Sequence, residues 1–136
     1  MIVVDTSAIV AIFRQECDAS FHAECIASDG EPLMSAANVV ETSLVLRGLK
    51  KIAPAQAEAW LDEFLAAAGI RVEPVTAEQA DIARLAHLRF GKGTGRAAGL
   101  NYGDCFAYAL AQAVKAPLLF KGDDFARTDA AKVTSD

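Results

Sequence analysis

Apolar positions fall into two rhythms along the chain. Short aliphatic runs alternate with longer stretches in which apolar residues return every three or four positions, a pattern of strands alternating with amphipathic helices. Ile2 to Val4 reads as the first strand, and Thr6 or Ser7 is expected to cap a helix carrying Ile9, Val10, Ile12 and Phe13. A second helix is expected after Asp18, ending at Asp29-Gly30, where glycine suits a left-handed stop. Pro32 to Ser35 is a short strand. Residues 38–50 form a helix with Val39, Val40, Leu44, Val45 and Leu49 as its apolar stripe, and Pro54 opens the next, running to Gly69.

Ile70, Val72 and Val75 around Arg71 and Glu73 predict a half-exposed strand, and Thr76 with Gln79 has the spacing of a capping box for a helix through Leu88. Residues 91–103 break the rhythm with five glycines, Lys92, Arg96 and Asn101, a basic loop ahead of a helix over 104–115. That loop lacks the ending of a Walker motif and follows no strand, so it is neither that motif nor a dinucleotide fingerprint. Leu118 to Phe120 reads as the last strand. Strands alternating with helices imply an α/β fold, three layers with a central parallel sheet. The 136 residues suit one domain, 1–136.

Composition narrows the chemistry. Charged residues interrupt every apolar run well before membrane-spanning length, and no basic segment precedes the first apolar run, so a cytoplasmic address is expected. Cys17, Cys25 and Cys105 form no C-x-x-C pair, so reduced, mostly buried thiols are expected. With only His22 and His87 present, any metal would be held by oxygen. The formal charge of −5 means that contact with nucleic acid would need a local basic patch or a partner.

Four acids stand where the predicted elements would aim them at one sheet edge. Asp5 follows the first strand, Glu41 lies near a helix start, Asp104 opens the late helix and Asp123 follows the last strand. Each has an ordinary local explanation: capping for Asp5 and Asp104, a capping box with Asn38 for Glu41, a turn for Asp123. Together they would repel one another unless a hard cation neutralised them. Magnesium, with manganese as a possible substitute, fits such a set and suits phosphodiester hydrolysis.

At these residues the sequence resembles the PIN-domain family, and within it the VapC toxins: "MIVVDTSAIVAIF", "NVVETSLVL", "LNYGDCFAYALA" and "LLFKGDDFARTD" span essentially the whole chain. The resemblance implies an α/β/α endoribonuclease, the toxin of a toxin–antitoxin pair, with Asp5, Glu41, Asp104 and a closing acid as catalytic, magnesium-binding residues. Thr6 or Ser7 would help hold the site. Asp123 and Asp124 both fit the closing position; Asp123, nearer the strand end, is preferred, and Asp129 is a supporting residue. The family also implies a VapB-like antitoxin, whose C-terminal segment would occupy an apolar groove and obstruct the site, and a homodimer. Helices 38–50 and 54–69 would supply the groove.

Lys92 and Arg96 are the candidate RNA clamp, within a wider basic set of Arg14, Arg47, Lys50, Lys51, Lys121 and Arg127. Other phosphate chemistries fit less well. A haloacid-dehalogenase phosphatase needs an aspartate where Ser7 stands, a receiver domain needs an acidic pair by its first strand, and a histidine-based ribonuclease needs an acid and a base histidine. A PIN nuclease of RNA processing or DNA cleavage, and a non-catalytic binding module, remain as alternatives.

Overall fold

A computed structural model describes residues 1–49, 51–95 and 98–133. Four parallel strands form one sheet in the order β3-β2-β1-β4: β1 (Ile2–Val4), β2 (Pro32–Ser35), β3 (Arg71–Glu73) and β4 (Leu118–Leu119). Six helices cover it: α1 (Thr6–Phe13), α2 (Ala19–Ser28), α3 (Ala36–Arg47), α4 (Pro54–Ala67), α5 (Ala77–Phe90) and α6 (Tyr102–Val114). Successive strand side chains point to opposite faces, and the two cores follow that alternation. Val3, Leu33 and Leu118 pack with Ala83 and Ala86 of α5 and the apolar face of α6. Ile2, Val4, Met34 and Leu119 pack with Ile9, Ile26, Leu46 and Leu61 of α1 to α4. These are the three expected layers.

Strand order reverses at β1, which pairs with β2 on one side and β4 on the other. In parallel sheets a crevice opens beyond the carboxyl ends of strands at such a point. The segments after β1 and β4 therefore meet there.

Several local expectations are revised. Asp5, rather than Thr6 or Ser7, caps α1: it precedes the helix in extended backbone and its carboxylate accepts from Ser7 N. Helix α3 starts earlier than expected, capped by Ser35, which leaves Asn38 inside the helix rather than at its cap. Helix α6 likewise begins at Tyr102, with Asn101 as its cap. Asp29, in extended backbone, ends α2 in place of a left-handed glycine. The Thr76 hydroxyl accepts from Gln79 N as anticipated. Cys17 is exposed while Cys105 is buried, and the three cysteines are free. Among the described residues no helix is long and apolar enough to cross a membrane.

The stripe expected to bury α3 is split: Val39 and Leu49 pack against the core, but Val40, Leu44 and Val45 are exposed. Val40 and Leu44 are 60% and 58% exposed, whereas Asn38, Thr42 and Leu46 are buried. Hydrogen bonds explain the burial of Asn38 and Thr42: the Thr42 hydroxyl donates to the Asn38 carbonyl at 2.7 Å and meets Thr6 Oγ1 at 3.0 Å. Thr6 Oγ1 also lies 3.2 Å from the Asn38 carbonyl. Buried hydroxyls with partners cost little, and these fasten α3 to α1.

Candidate active site

The crevice is a cavity of about 370 Å³ lined by Asp5, Glu16, Glu41, Asp104 and Asp124, with Lys121, Ser7 and Asn101 among its other polar residues. Five carboxyl groups and one ammonium thus share a small space. Each carboxylate is set by its own element. Asp5 is buried; its Oδ2 accepts from Ser7 N at 3.0 Å and from Ser7 Oγ at 2.6 Å, while Oδ1 is buried with no hydrogen-bond partner. Asp104, in the first turn of α6, forms a reciprocal pair with Asn101: Asn101 N donates to Asp104 Oδ2 at 3.0 Å and Asp104 N to Asn101 Oδ1 at 2.9 Å.

Glu41 is aimed by Asn38, whose Nδ2 donates to Glu41 Oε1 at 3.1 Å and to the Gly103 carbonyl at 2.9 Å. Gly103 gives Glu41 its room. A β-carbon at 103 would lie 1.8 Å from Glu41 Oε2. Thus one buried amide links α3 to the start of α6, and the missing side chain at 103 lets Glu41 lie against the start of α6.

The electrostatics follow from this crowding. Burial, opposed by the Ser7 hydrogen bonds but reinforced by the charges of Glu41 and Asp124, pushes Asp5 up to about 6. Burial also dominates for Asp104; the Asn101 amide opposes it, the charges of Asp5 and Asp124 reinforce it, and so does a hydrogen bond with Asp124 that requires a shared proton. Its carboxyl is pushed up to about 8.

The structure brings Asp124, rather than Asp123, into this group. Both aspartates are exposed, but Asp124 lines the cavity and Asp123 does not. Chain distance from β4 does not determine which residue meets the crevice, because Gly122 at φ +99° turns the backbone ahead of both and the later residue is the one along the cavity. Asp129 also stands outside the cavity lining. Its carboxylate accepts from Tyr108 Oη at 2.5 Å and faces Arg89 Nη1 at 3.6 Å, so it ties the closing segment to α5 and α6. Thr6 fastens α1 to α3, and Ser7 holds Asp5.

The donor set suits a hard divalent cation. One buried carboxylate oxygen is left unpartnered, and burial, reinforced by the neighbouring acids, favours the protonated forms of Asp5 and Asp104, whose protons a cation would displace. Among the described residues no three side chains are drawn together as a finished ion cage, since Asp5, Glu41 and Asp104 each turn to a local donor. Magnesium retains several waters and needs only a few protein oxygens, so this spacing is compatible with it.

Residues 2–131 match the PIN domain family. The chain belongs to the PIN-domain family. It is 48% identical over 131 residues to the protein named Ribonuclease VapC of Mycolicibacterium smegmatis, covering 96% of this chain and 98% of that one. Among solved structures, VapC20 of Mycobacterium tuberculosis, described as a sarcin-ricin loop cleaving toxin, superposes with a TM-score of 0.78 at 20% identity. That alignment covers 99% of this chain and 100% of the other. VapBC2 from Rickettsia felis, bound to a DNA fragment from its promoter, gives a TM-score of 0.71 at 19% identity over 98% of each chain. The last two show the shared fold.

Among the described residues, one basic side chain lines the crevice. Lys121 lines it, whereas Lys92 is exposed on its loop and does not. Arg96 and Lys50 lie outside the described residues. Arg14 and Lys51 line a different depression, with Phe13, Leu49 and Ile52. Asn38, Gly103, Asn101 and Glu16 are site residues that the sequence reading did not single out. The Asn101-x-x-Asp104 spacing is a readable capping-box signal, while Glu16, in the turn between α1 and α2, carries no signal in its neighbours.

Proposed function

We propose that this chain is a magnesium-dependent endoribonuclease, the toxin of a toxin–antitoxin pair acting in the cytoplasm. The observation that carries the reading is the convergence of Asp5, Glu41, Asp104 and Asp124 at the carboxyl ends of β1 and β4, with a buried carboxylate oxygen left unpaired. The ribonuclease naming of a 48% identical relative of nearly the same length supports it. These four acids would hold magnesium, or manganese in its place. When bound, the ion supplies charge neutralisation at phosphoryl oxygens and a more acidic water.

The chain's own residues do the rest. Ser7 and Asn101 fix the orientation of Asp5 and Asp104, and Asn38 fixes Glu41, so the site is assembled before substrate arrives. The Lys121 ammonium is paired with Glu16 and Asp18 at the crevice wall, and Lys92 and Arg96 remain proposed RNA contacts on the 91–103 loop.

The partner would be a VapB-like antitoxin, consistent with the toxin–antitoxin complexes among the structural neighbours. The groove expected between α3 and α4 is bridged by polar contacts, Ser43 and Arg47 both reaching Glu58. Exposed Val40, Leu44 and Val45 instead form an apolar strip on α3, and Val45 with Val10 reaches the rim of the acidic cavity. An antitoxin segment on that strip would lie beside the site it obstructs. A homodimer of this chain is part of the same proposal.

The decisive experiment digests RNA with the purified chain and its Asp104→Ala variant, with magnesium, manganese or a chelator. Cleavage should require a divalent cation and Asp104. Undiminished cleavage by Asp104→Ala, with its fold intact, would overturn the assignment.

A further inference from the structure

We propose that Lys121 is a positioning residue that, together with Ser7, Glu16 and Asp18, fixes the turn bringing Asp124 to Asp5 and Asp104. The inference rests on reading these acids as a divalent-cation site. Lys121 is held at two points. Its backbone N–H donates to Ser7 Oγ at 2.9 Å, and that hydroxyl donates onward to Asp5 Oδ2. With its one proton committed to Asp5, Ser7 can receive Lys121 only as an acceptor. The start of the closing turn is therefore registered on the same carboxylate that opens the site.

The second point is the ammonium, which pairs with Glu16 and with Asp18 Oδ1, the latter at 3.1 Å. Asp18 is in turn held by the buried His22, Nε2 to Oδ2 at 3.1 Å. The ammonium is thus anchored to the α1–α2 turn and, through His22, to the body of α2. Gly122 at φ +99° and Asp123 follow, and Asp124 comes third. Phe120 and the buried Phe125 pack against each other at the two ends of this stretch, so these anchors are what hold residues 121–124 between them. A partly buried pair with two acids around one lysine is better placed to act as a tether than an isolated surface ion pair.

For Lys121, positioning and plain electrostatics predict opposite signs; for Glu16, which is itself a cavity carboxylate, both predict weaker binding, so amide exchange carries that arm of the test. Removing a cation from a cavity of five carboxylates should tighten binding of another cation if charge alone matters. If Lys121 positions Asp124, removing it should weaken binding, as loss of a residue that orients ligands commonly does. The experiment compares the full chain with Lys121→Met, Lys121→Arg and Glu16→Gln. It measures Mn²⁺ affinity by calorimetry, hydrogen exchange of amides 121–124 in metal-free protein, and KM and kcat for RNA at saturating Mn²⁺.

Lys121→Met and Glu16→Gln should each weaken Mn²⁺ about tenfold and speed exchange at 121–124. Lys121→Arg should recover most of both losses, with KM for RNA little changed. Tighter Mn²⁺ binding in Lys121→Met would overturn the proposal, as would unchanged affinity with a raised KM, which would make Lys121 a phosphate contact. If the wild-type chain binds no Mn²⁺, the cation reading fails separately. Amide exchange then decides the tether, and unchanged exchange in Lys121→Met and Glu16→Gln would refute it.

Discussion

Gly103 shows how a single missing β-carbon can serve a site without serving the fold. A methyl group there would collide with the carboxylate of Glu41, which sits at the end of a flexible side chain and can swing away at small energetic cost. Alanine also favours helix over glycine by about 0.5–1 kcal/mol. Gly103→Ala should therefore unfold within a few degrees of the wild type, yet lose most of its cation-dependent cleavage; normal cleavage would mean that Glu41 need not lie beside α6. Asp104 offers a second test at this scale. In the metal-free folded chain its proton is retained up to about pH 8, whereas an unfolded aspartate releases it near 3.8. The folded state thus binds more protons between those values, and this group's contribution to stability falls as pH rises through that window. Asparagine keeps an oxygen to accept from the Asn101 amide and has no proton to lose. The melting temperature of metal-free Asp104→Asn, relative to wild type, should therefore climb between pH 4 and pH 8, and a constant difference would show that Asp104 is not held protonated. Among the closing acids, Asp124→Asn should cost more cleavage than Asp123→Asn, because only Asp124 meets Asp5 and Asp104.

Helix α3 is the element whose chemistry was least legible in its sequence. Its apolar residues have helical spacing, and periodicity identifies a helix there, but the same periodicity assigns Val40 and Leu44 to the core and gives no sign that Asn38 and Thr42 are buried. The structure exposes the first pair and buries the second, because the face toward α1 and α6 is closed by side-chain hydrogen bonds that no one-dimensional pattern reveals. Strand positions were easier: three of four strands are apolar and buried, so short runs of Ile, Val, Leu and Met suffice to mark them. The exposed strip has a testable consequence. Leu44→Lys adds charge at a position already 58% exposed, so thermal unfolding should shift little. Pull-down with the co-expressed antitoxin should fall markedly while RNA cleavage by the isolated chain persists. An undiminished complex would place the partner on another face.

At the scale of the whole molecule, the acids were legible because topology does the gathering: a parallel sheet whose order reverses at β1 sends the residues after β1 and β4 into one crevice. What topology could not supply was the turn at Gly122, and so the choice between adjacent aspartates. The same architecture argues for the products of cleavage. An RNA can be cut by its own 2′-hydroxyl, leaving a cyclic phosphate, but that route usually needs one side chain to take a proton and another to give one, most often histidines. Here His22 is buried against Asp18, and His87 lies on α5 in a different depression with Tyr102 and Phe106. Neither reaches the acidic crevice. Water is then the expected nucleophile, and attack in line with the departing 3′ oxygen would leave a 5′-phosphate and a 3′-hydroxyl. An end-labelled RNA digested with and without chelator distinguishes the routes. Downstream fragments should accept direct ligation and should form only with magnesium or manganese, and a 2′-deoxy substitution at the cleaved position should still permit the cut. Cyclic phosphates made in the presence of chelator would mean that the carboxylate crevice is not where RNA is cleaved.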